Sequence, residues 1–272
     1  MSLETMFDVA GQSVIVTGGA SGIGRAYAEI MVEMGANVRI LDMDTDGLET
    51  AVSEIAAMGW SGEVSGNQLD VSDRAALAAA FDAVAAERGR INVVFANAGV
   101  DAGPGFLSPE GERVPDAQID TMPEAQWDRV IDVNLTAVFM TIRNAARHMK
   151  QTGGGRIIVT SSVAARVNET IVGTAYMPAK AGVDHLVRNA AMELAAHGIN
   201  VNCISPGPFI TNIAGGRLKN KADREAFEAQ SLMRRIAYPD EIKGLALYLA
   251  SPASSYVTGA QMTIDGGSSL RG

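Results

Sequence analysis

The stretch from Thr17 to Gly24 constrains the fold of this chain more than any other feature. Its residues, Thr-Gly-Gly-Ala-Ser-Gly-Ile-Gly, follow an apolar run at 13–16 and precede a helical pattern that starts near Ala26. Glycines allow a tight turn and close approach to a ligand, and the N–H groups and dipole of a helix start attract an anion. The order strand, turn, helix therefore predicts a site for the pyrophosphate of a dinucleotide. An ordinary glycine-rich loop is the alternative.

Strand-like apolar runs alternate with helical patterns along most of the chain. Strands are predicted at 14–16, 37–42, 63–69, 91–96, 156–160, 199–204 and 262–264. Helices are predicted at 22–34, 45–58, from behind Ser72 as N-cap to about 87, and at 124–150, 174–196, 222–230 and 240–249. This alternation with short turns implies a parallel sheet covered on both faces. We predict an α/β protein with one domain over residues 1–272, a Rossmann-type doubly wound sheet of about seven strands.

Composition excludes several classes of partner and compartment. The formal net charge is -9 and the pI about 4.9, so nucleic acid and anionic membrane surfaces are not expected partners. Cys203 is the only cysteine, which rules out an intrachain disulfide and suits a reducing compartment. The N-terminal residues lack the pattern of a signal peptide, and no apolar run is long enough to span a bilayer. We expect a cytoplasmic protein.

Two stretches without a clean pattern follow predicted strand ends. In an open α/β sheet, ligands bind at the carboxyl ends of the strands, so the loops 101–122 and 206–235 are expected to form the substrate site. The glycines of the first loop, Gly103, Gly105 and Gly111, predict a mobile lid.

Four groups of residues at predicted strand ends or on one helix carry candidate chemistry. Asp42 ends the second strand, where a carboxylate can accept hydrogen bonds from a ribose; alternatively it caps the next helix. Tyr176 and Lys180 are four residues apart, so they share a helix face. Ser162 follows the fifth strand, and the segment Asn97-Ala98-Gly99 follows the fourth.

Taken in order along nearly the whole chain, these motifs resemble those of the classical short-chain dehydrogenases/reductases. The stretch 17–24 is similar to the cofactor loop of that family, the segment 97–99 to its sheet-stabilising motif, and Asp265-Gly266-Gly267 to its C-terminal turn. The resemblance implies a catalytic tetrad of Asn134, Ser162, Tyr176 and Lys180, with Ser162 chosen over Ser161. The implied cofactor contacts are Gly18, Ser21, Gly22, Ile23, Gly24, Asp42, Met43, Asp70, Val71, Asn97, Ala98, Gly99, Tyr176, Lys180, Pro206, Gly207, Phe209 and Thr211.

The resemblance also implies a mechanism. Tyr176 is the general base, and its phenol pKa of about 10 must fall by roughly three units, or about 4 kcal/mol, to act near neutrality. One ammonium at about 4 Å supplies that much at an effective dielectric near 20, which is the role expected of Lys180. Ser162 orients the substrate oxygen. Asn134 holds a water between Lys180 and solvent, or alternatively bonds its own helix backbone.

The predictions for several other residues are less specific. Asp70 and Val71 either contact the adenine ring or cap the next helix. No metal site is predicted, and His148, His185 and His197 are expected at the surface or at helix ends. Met177 could reach the pocket. Four apolar helix positions, Val138, Met140, Val183 and Leu186, exceed what one buried face requires and suggest a homotetramer, as the resemblance does.

These observations predict an oxidoreductase that transfers a hydride between NAD and a small to medium secondary alcohol or ketone. NAD is expected because Asp42 repels a 2′-phosphate and no arginine follows it through residue 48. A cyclic or aromatic substrate is expected from Val163, Ala164 and Ala165, from Pro208, Phe209, Ile210 and Ile213, and from Phe106 and Leu107. Arg113 could instead bind a substrate carboxylate. The alternatives are a non-catalytic dinucleotide-binding redox sensor, a carbonyl reductase for acyl-thioester or sugar substrates, and a nucleotide-sugar epimerase or dehydratase.

Overall fold

Within the described residues, seven strands form one parallel sheet in the order β3-β2-β1-β4-β5-β6-β7. They are seen in a computed structural model that describes residues 2–108, 110–212, 216, 218 and 221–270. The strands are β1 (Ser13–Thr17), β2 (Asn37–Asp42), β3 (Glu63–Gln68), β4 (Val93–Ala96), β5 (Gly155–Thr160), β6 (Ile199–Pro206) and β7 (Gln261–Ile264). The predicted doubly wound parallel sheet is confirmed.

Helices cover both faces of this sheet. They are α1 (Leu3–Met6), α2 (Gly22–Glu33), α3 (Thr45–Ala57), α4 (Arg74–Arg88), α5 (Glu124–Ile131), α6 (Ala137–Thr152), α7 (Tyr176–Leu194), α8 (Lys221–Gln230) and α9 (Lys243–Ala250). Successive strand residues point to opposite faces, so Ile157 of β5 packs in one core with α4, α6 and α7, and Ile158 packs in the other with α2, α3 and α9. Two buried cores therefore hold the sheet from either side.

The strand order reverses between β1 and β4, which are neighbours in the sheet. From that pair the chain winds outward in both directions. A crevice consequently opens at the carboxyl ends of β1 and β4, where the glycine-rich stretch and the segment 97–99 both lie.

Two helix predictions are wrong in detail. The helix predicted at 124–150 is divided by a π-helical turn, Asp132–Thr136, between α5 and α6. A π-turn inserts one residue into the helical ladder and is frequent at functional sites, and this one contains Asn134. The predicted N-cap of α4, Ser72, is replaced by Asp73, whose carboxylate accepts from the N–H groups of Ala75 and Ala76 at 3.0 and 2.9 Å.

The loop 101–122 is docked by its backbone rather than loosely tethered. Gly105 N–H donates to the Ile171 carbonyl at 3.2 Å, and Leu107 N–H donates to the Thr170 carbonyl at 3.1 Å. A Cβ at Gly105 would overlap the Thr170 carbonyl oxygen, so glycine is needed here for close contact. The expectation that the glycines leave this loop little restrained is wrong for the segment 104–107.

The four apolar side chains that suggested a tetramer are covered by other residues of the same chain. Val138, Met140 and Val183 are buried in one core, and Leu186 packs against it. These residues therefore do not support a homotetramer, which stays a prediction. Large apolar side chains that α6 and α7 do expose are Phe139 and Met192.

Within the described residues, no helix is both long and apolar enough to cross a bilayer.

Candidate active site

A cavity of about 1020 Å³ runs along the carboxyl ends of the central strands. It brings together every predicted cofactor contact, and Ser162, Tyr176 and Lys180 as well. Asn134 is the one predicted site residue that lies behind the wall rather than on it. Two ends can be distinguished: the glycine end, formed by residues 18–24 with Asp42 and Asp70, and the reaction end, formed around Ser162 and Tyr176.

The glycine end is a backbone cradle. Gly22 begins α2, and its N-cap, Ser21, makes no side-chain hydrogen bond to the helix. A Cβ at Gly24 would overlap the Gly18 carbonyl oxygen and the Asn97 amide, and Gly22 has a φ of +56°. Only glycine suits these positions, and the helix start is left without a side-chain cap. This cradle fits the pyrophosphate of a dinucleotide.

Hydrogen bonds between strand ends hold the cradle in place. Thr17 Oγ1 accepts from the N–H groups of Asn97 and Ala98 at 3.0 and 3.1 Å. The Asn97 amide donates to the Gly18 carbonyl at 3.0 Å and accepts from Thr160 Oγ1 at 3.0 Å. The ends of β1, β4 and β5 are thus tied together, and Thr160 is a member of this network that sequence analysis missed.

Asp42 and Asp70 line the cavity and do not cap helices. Asp42 accepts from Ala20 N–H at 2.9 Å and from Asp44 N–H at 3.0 Å, while Asp44 itself caps α3. Asp70 accepts from Ser72 N–H and Oγ at 2.9 and 2.8 Å. The helix-cap alternative is wrong for both residues.

Tyr176 and Ser162 meet at the reaction end. Ser162 precedes a short 3-10 turn, Val163–Ala165, and its Oγ accepts from Ala164 N–H at 3.1 Å. Burial raises the pKa of the Tyr176 phenol to about 12, hydrogen bonding with Ser162 lowers that pKa, and the Asp101 carboxylate raises it. The phenol is therefore protonated at neutral pH in this state.

Lys180 is buried beneath the Tyr176 ring. Its Nζ lies 5.6 Å from the ring centroid and donates to the Thr160 carbonyl at 2.9 Å. Burial lowers the pKa of Lys180 to about 8, against the opposing effects of Cys203 and Asp184. The expectation that Lys180 brings the phenol pKa below its ordinary value is not met here, because burial of the phenol has the largest effect on that pKa and raises it.

Asn134 clamps the loop that follows β4. Its Oδ1 accepts from Val100 N–H at 2.8 Å and its Nδ2 donates to the Val100 carbonyl at 2.9 Å. The alternative that it bonds its own helix backbone is wrong. A Cβ at Gly99 would lie 3.1 Å from Asn134 Oδ1 and 3.9 Å from Lys180 Nζ, so Gly99 leaves the two side chains close together. The water-holding role stays a prediction.

A buried acid, Asp184, organises the rear of the reaction end. Its carboxylate accepts from Ser161 Oγ at 2.5 Å and from Arg166 Nε at 3.3 Å. Its carbonyl accepts from Gln261 Nε2 at 3.0 Å. Sequence analysis missed this residue, although its spacing of four from Lys180 places it on the same helix face.

Several residues expected at the substrate do not line the cavity. Phe106, Leu107, Ile210 and the turn Val163–Ala165 lie off the wall, while Pro208 and Phe209 are on it. Ile213 lies outside the described residues.

Two further side chains have partners elsewhere. Arg113 donates to Gln118 Oε1 at 2.7 Å, and Met177 Sδ accepts from Glu169 N–H at 3.3 Å; neither side chain lines the cavity.

Two of the histidines pair with neighbouring side chains. His148 pairs with Asp82 at 2.9 Å on the surface side of α6, and His185 contacts Arg188 at 3.1 Å. No group of three or more potential metal ligands is found among the residues that the structure describes.

Known proteins resemble the chain along nearly its full length. A family model described as enoyl-(acyl carrier protein) reductase matches residues 18–269. The chain is 36% identical over 258 residues to cis-4-hydroxycyclohexanecarboxylate dehydrogenase of Sinomonas cyclohexanicum, covering 93% of this chain and 94% of that protein. It is 34% identical over 262 residues to (+)-borneol dehydrogenase 1 of Salvia officinalis, covering 96% and 94%. The solved structure of 7α-hydroxysteroid dehydrogenase with NADH and 7-oxo-glycochenodeoxycholic acid aligns with a TM-score of 0.85 at 30% identity and covers 98% of each chain.

Proposed function

Because the chain belongs to the classical short-chain dehydrogenase/reductase family, we propose that it interconverts a cyclic secondary alcohol and its ketone with NAD as cofactor. One observation carries the proposal: Ser162, Tyr176 and Lys180 line one end of a cavity whose other end is a glycine cradle. A dinucleotide bound along that cavity would accept or deliver a hydride at its nicotinamide.

The side chains at the reaction end have distinct proposed roles. The Tyr176 hydroxyl exchanges a proton with the reacting oxygen, and Ser162 Oγ hydrogen-bonds the same oxygen and orients it. Lys180 Nζ supplies positive charge below the phenol ring, from which it lies 5.6 Å. Asn134 holds residue 100, and through it the loop that borders the reaction end.

The protonation states favour one direction at neutral pH. A phenol whose pKa is raised to about 12 keeps its proton, which is the form that donates to a carbonyl. Alcohol oxidation needs the deprotonated form, so it requires higher pH or added positive charge near Tyr176. We therefore expect ketone reduction to be the faster direction at pH 7.

Charge at the adenosine side supports NAD over NADP. The Asp42 carboxylate is oriented by the N–H groups of Ala20 and Asp44, and its two oxygens have capacity for further hydrogen bonds from ribose hydroxyls. Arg39, on the same strand, is engaged with Ser65, Asn67 and Glu87. A 2′-phosphate would meet the carboxylate without a neighbouring arginine on β2 to receive it.

Apolar walls support a cyclic substrate. Val100, Val133, Pro208, Phe209 and Leu218 line the cavity. The relatives that act on hydroxycyclohexanecarboxylate and borneol are named for ring alcohols, as is the steroid dehydrogenase. Few polar groups then suffice to fix the reacting oxygen.

The decisive experiment compares wild type with Tyr176→Phe on a panel of cyclic ketones and alcohols with NAD(H) and NADP(H). Tyr176→Phe should lower kcat by about 10²- to 10⁴-fold, the contribution of a positioned acid or base, and leave the NADH dissociation constant within about threefold. Tyr256→Phe is the matched control, because Tyr256 is fully exposed. Activity of Tyr176→Phe within tenfold of wild type would contradict the role of the phenol, and a higher kcat/KM with NADP(H) would contradict the cofactor.

A second candidate is reduction of an acyl-thioester, which the description of the matching family model favours. The charges in the cavity favour this candidate less, because the acids among the described lining residues outnumber the cations. The cations are Arg129 and Lys180, and the acids are Asp42, Asp70, Asp101 and Asp132. Crotonyl-CoA and acetoacetyl-CoA in the same panel distinguish this candidate.

A further inference from the structure

Asp184 is a buried acid on α7 that has no part in the proposed proton and hydride transfer. The residue is 4% exposed and does not line the cavity. Its carboxylate accepts from Ser161 Oγ at 2.5 Å and from Arg166 Nε at 3.3 Å. These two partners lie on either side of Ser162, which is the proposed donor to the reacting oxygen. One carboxylate therefore binds the segment that carries Ser162 at both of its ends.

A third residue, Gln261 of β7, closes this arrangement into a ring. Arg166 Nη2 donates to Gln261 Oε1 at 2.6 Å, and Gln261 Nε2 donates to the Asp184 carbonyl at 3.0 Å. The planar guanidinium thus binds the Asp184 carboxylate with one nitrogen and Gln261 with another. Because its two partners lie on different elements, α7 and β7, Arg166 fixes the end of the turn that follows Ser162.

The turn between these anchors is short and internally hydrogen-bonded. Ala165 N–H donates to the Ser162 carbonyl at 3.1 Å, and Arg166 N–H donates to the Val163 carbonyl at 2.9 Å. Ser162 Oγ accepts from Ala164 N–H at 3.1 Å, so the same turn also orients the Ser162 side chain. A displacement of Arg166 would consequently reach the Ser162 hydroxyl, because no loose segment separates the two residues.

The hydroxyl groups of the two adjacent serines are used differently. Ser161 Oγ donates its proton to the buried Asp184 carboxylate, so that proton is not available to a substrate. Ser162 Oγ accepts from a backbone N–H and still has a proton to donate. The contacts that hold the turn therefore leave Ser162, and not Ser161, as the donor to the reacting oxygen.

We propose that Asp184 is a positioning residue, which sets the orientation of the Ser162 hydroxyl by holding Ser161 and Arg166 on either side of it. This inference rests on the proposed function. Asp184 acts through Ser162 and touches neither substrate nor cofactor. A displaced hydroxyl stabilises the transition state less, because that stabilisation depends on a donor fixed in the correct place. Loss of Asp184 should therefore lower kcat and change KM little.

Two other routes would connect Asp184 with activity. The Asp184 carboxylate raises the pKa of Lys180, four residues earlier on α7, so its removal could act through that ammonium. Its removal also leaves the buried Ser161 hydroxyl without its acceptor, which lowers the free energy of unfolding. Neither route passes through Ser162, so a double-mutant cycle with Ser162 separates both from the proposal.

The test is a cycle of Asp184→Ala, Ser162→Ala and the double variant, measured per folded protein with NADH and the panel ketone that wild type reduces with the highest kcat/KM. Ser162→Ala should lower kcat by about 10²- to 10³-fold, the effect of removing one donor to a reacting oxygen. Asp184→Ala should lower kcat by about tenfold to 10²-fold, with KM within about threefold of wild type. The double variant should stay within about threefold of Ser162→Ala, because the hydroxyl through which Asp184 acts is already absent.

Two further variants keep the test decisive if Asp184→Ala does not fold. Asp184→Asn should keep kcat within about threefold of wild type, since its amide oxygen can accept from Arg166 and its N–H can donate to Ser161 Oγ. Ser161→Ala deletes one atom and one of the two contacts. It should lower kcat by about threefold to tenfold, and have no effect in the Ser162→Ala background. Asp82→Ala removes a half-exposed carboxylate from its pair with an arginine and should leave kcat unchanged.

Four results would overturn the inference. Asp184→Ala or Ser161→Ala could lower kcat equally in the wild-type and Ser162→Ala backgrounds, which would assign Asp184 to another route. Asp184→Asn could be as slow as Asp184→Ala, which would show that the charge matters and not the position. An unchanged kcat in Ser161→Ala and Asp184→Ala would leave Asp184 with a role in stability alone. No turnover of any panel substrate by wild type that binds NADH would overturn the proposed function, and this inference with it.

Discussion

The two ends of the cavity differ in whether backbone or side-chain groups form them. The glycine end is formed mainly by backbone: close contacts between Gly18, Gly24 and Asn97, and N–H groups at the start of α2. The reaction end is formed by side chains from the end of β5 and from α7, among which Lys180 and Asp184 are buried. Its ionisable groups have strongly shifted pKa values, as Tyr176 and Lys180 show.

Because of this difference, the two ends are sensitive to different substitutions. A backbone cradle tolerates no added atom, but it buries no charge. A side-chain site tolerates changes of shape better, yet its buried charges reduce stability unless each has a partner. Substitutions at the two ends should therefore fail in different ways.

The largest effect is expected at the glycine end. Gly24→Ala places a Cβ against the Gly18 carbonyl oxygen, and neither backbone can move without breaking the Asn97 bridge. NADH affinity should fall by more than about 10²-fold, since the helix start would be displaced from the ligand. Gly244→Ala is the control, because a Cβ there meets nothing within 4 Å, and it should raise stability by about 0.5–1 kcal/mol. Fluorescence titration measures the NADH affinity, and thermal unfolding measures the stability. Tight NADH binding by Gly24→Ala would contradict the proposed difference between the two ends.

A large effect on stability is expected behind the reaction end. Asp184→Ala removes the acceptor of Ser161 and Arg166 in a buried setting, which should lower the free energy of unfolding by about 3 kcal/mol. It should also lower kcat, because Ser161 adjoins Ser162. Asp82→Ala is the matched control, since that carboxylate is about half exposed in its pairs with Arg147 and His148 and should contribute at most about 1 kcal/mol. If urea unfolding shows the same loss of stability for both variants, burial of Asp184 does not increase its contribution to stability.

The smallest expected effect is a gain in stability. The pKa of Lys180 is about 8 in the folded protein, below its ordinary 10.5, so the unfolded chain binds more protons between these values and stability rises with pH across that window. Below about pH 8, Lys180 is protonated in both the folded and the unfolded state, so the full cost of burying its charge lowers the free energy of unfolding. The lowered pKa corresponds to a penalty of about 3 kcal/mol at pH 7. Removing that penalty and the bond to the Thr160 carbonyl, worth about 1 kcal/mol, leaves Lys180→Met more stable by about 2 kcal/mol, while activity is lost.

Unfolding measured from pH 6 to 10.5 checks this directly. The advantage of Lys180→Met over wild type should shrink as pH rises and Lys180 loses its proton. A variant less stable than wild type at pH 7 would mean that the hydrogen bond of Lys180 outweighs its desolvation.

The residues predicted for the glycine end lie together at one end of the cavity. The positions of Gly18, Gly22 and Gly24 are dictated locally, because a strand, a tight turn and a helix start demand glycine at set spacings. Tyr176 and Lys180 were recoverable for a similar reason, since a spacing of four on one helix is a local property.

What sequence analysis missed lies across long chain separations. Asn134 and Gln126 hydrogen-bond the backbone of Val100 and Ala102 in the loop after β4. Asp184 joins Ser161 and Arg166 to Gln261. The docking of the loop 104–107 on residues 170–172 is of the same kind. No pattern in any one segment encodes these pairings.

The alternation of strands and helices, the parallel sheet and the glycine cradle could be predicted from the sequence, because each depends on periodicity or on local backbone conformation. The π-helical turn at Asn134 could not be predicted in this way, nor could the effect of burial, which raises the pKa of the Tyr176 phenol and lowers the pKa of Lys180. Desolvation and charge contact depend on what the rest of the chain brings against a residue, and that is a property of the packed molecule alone.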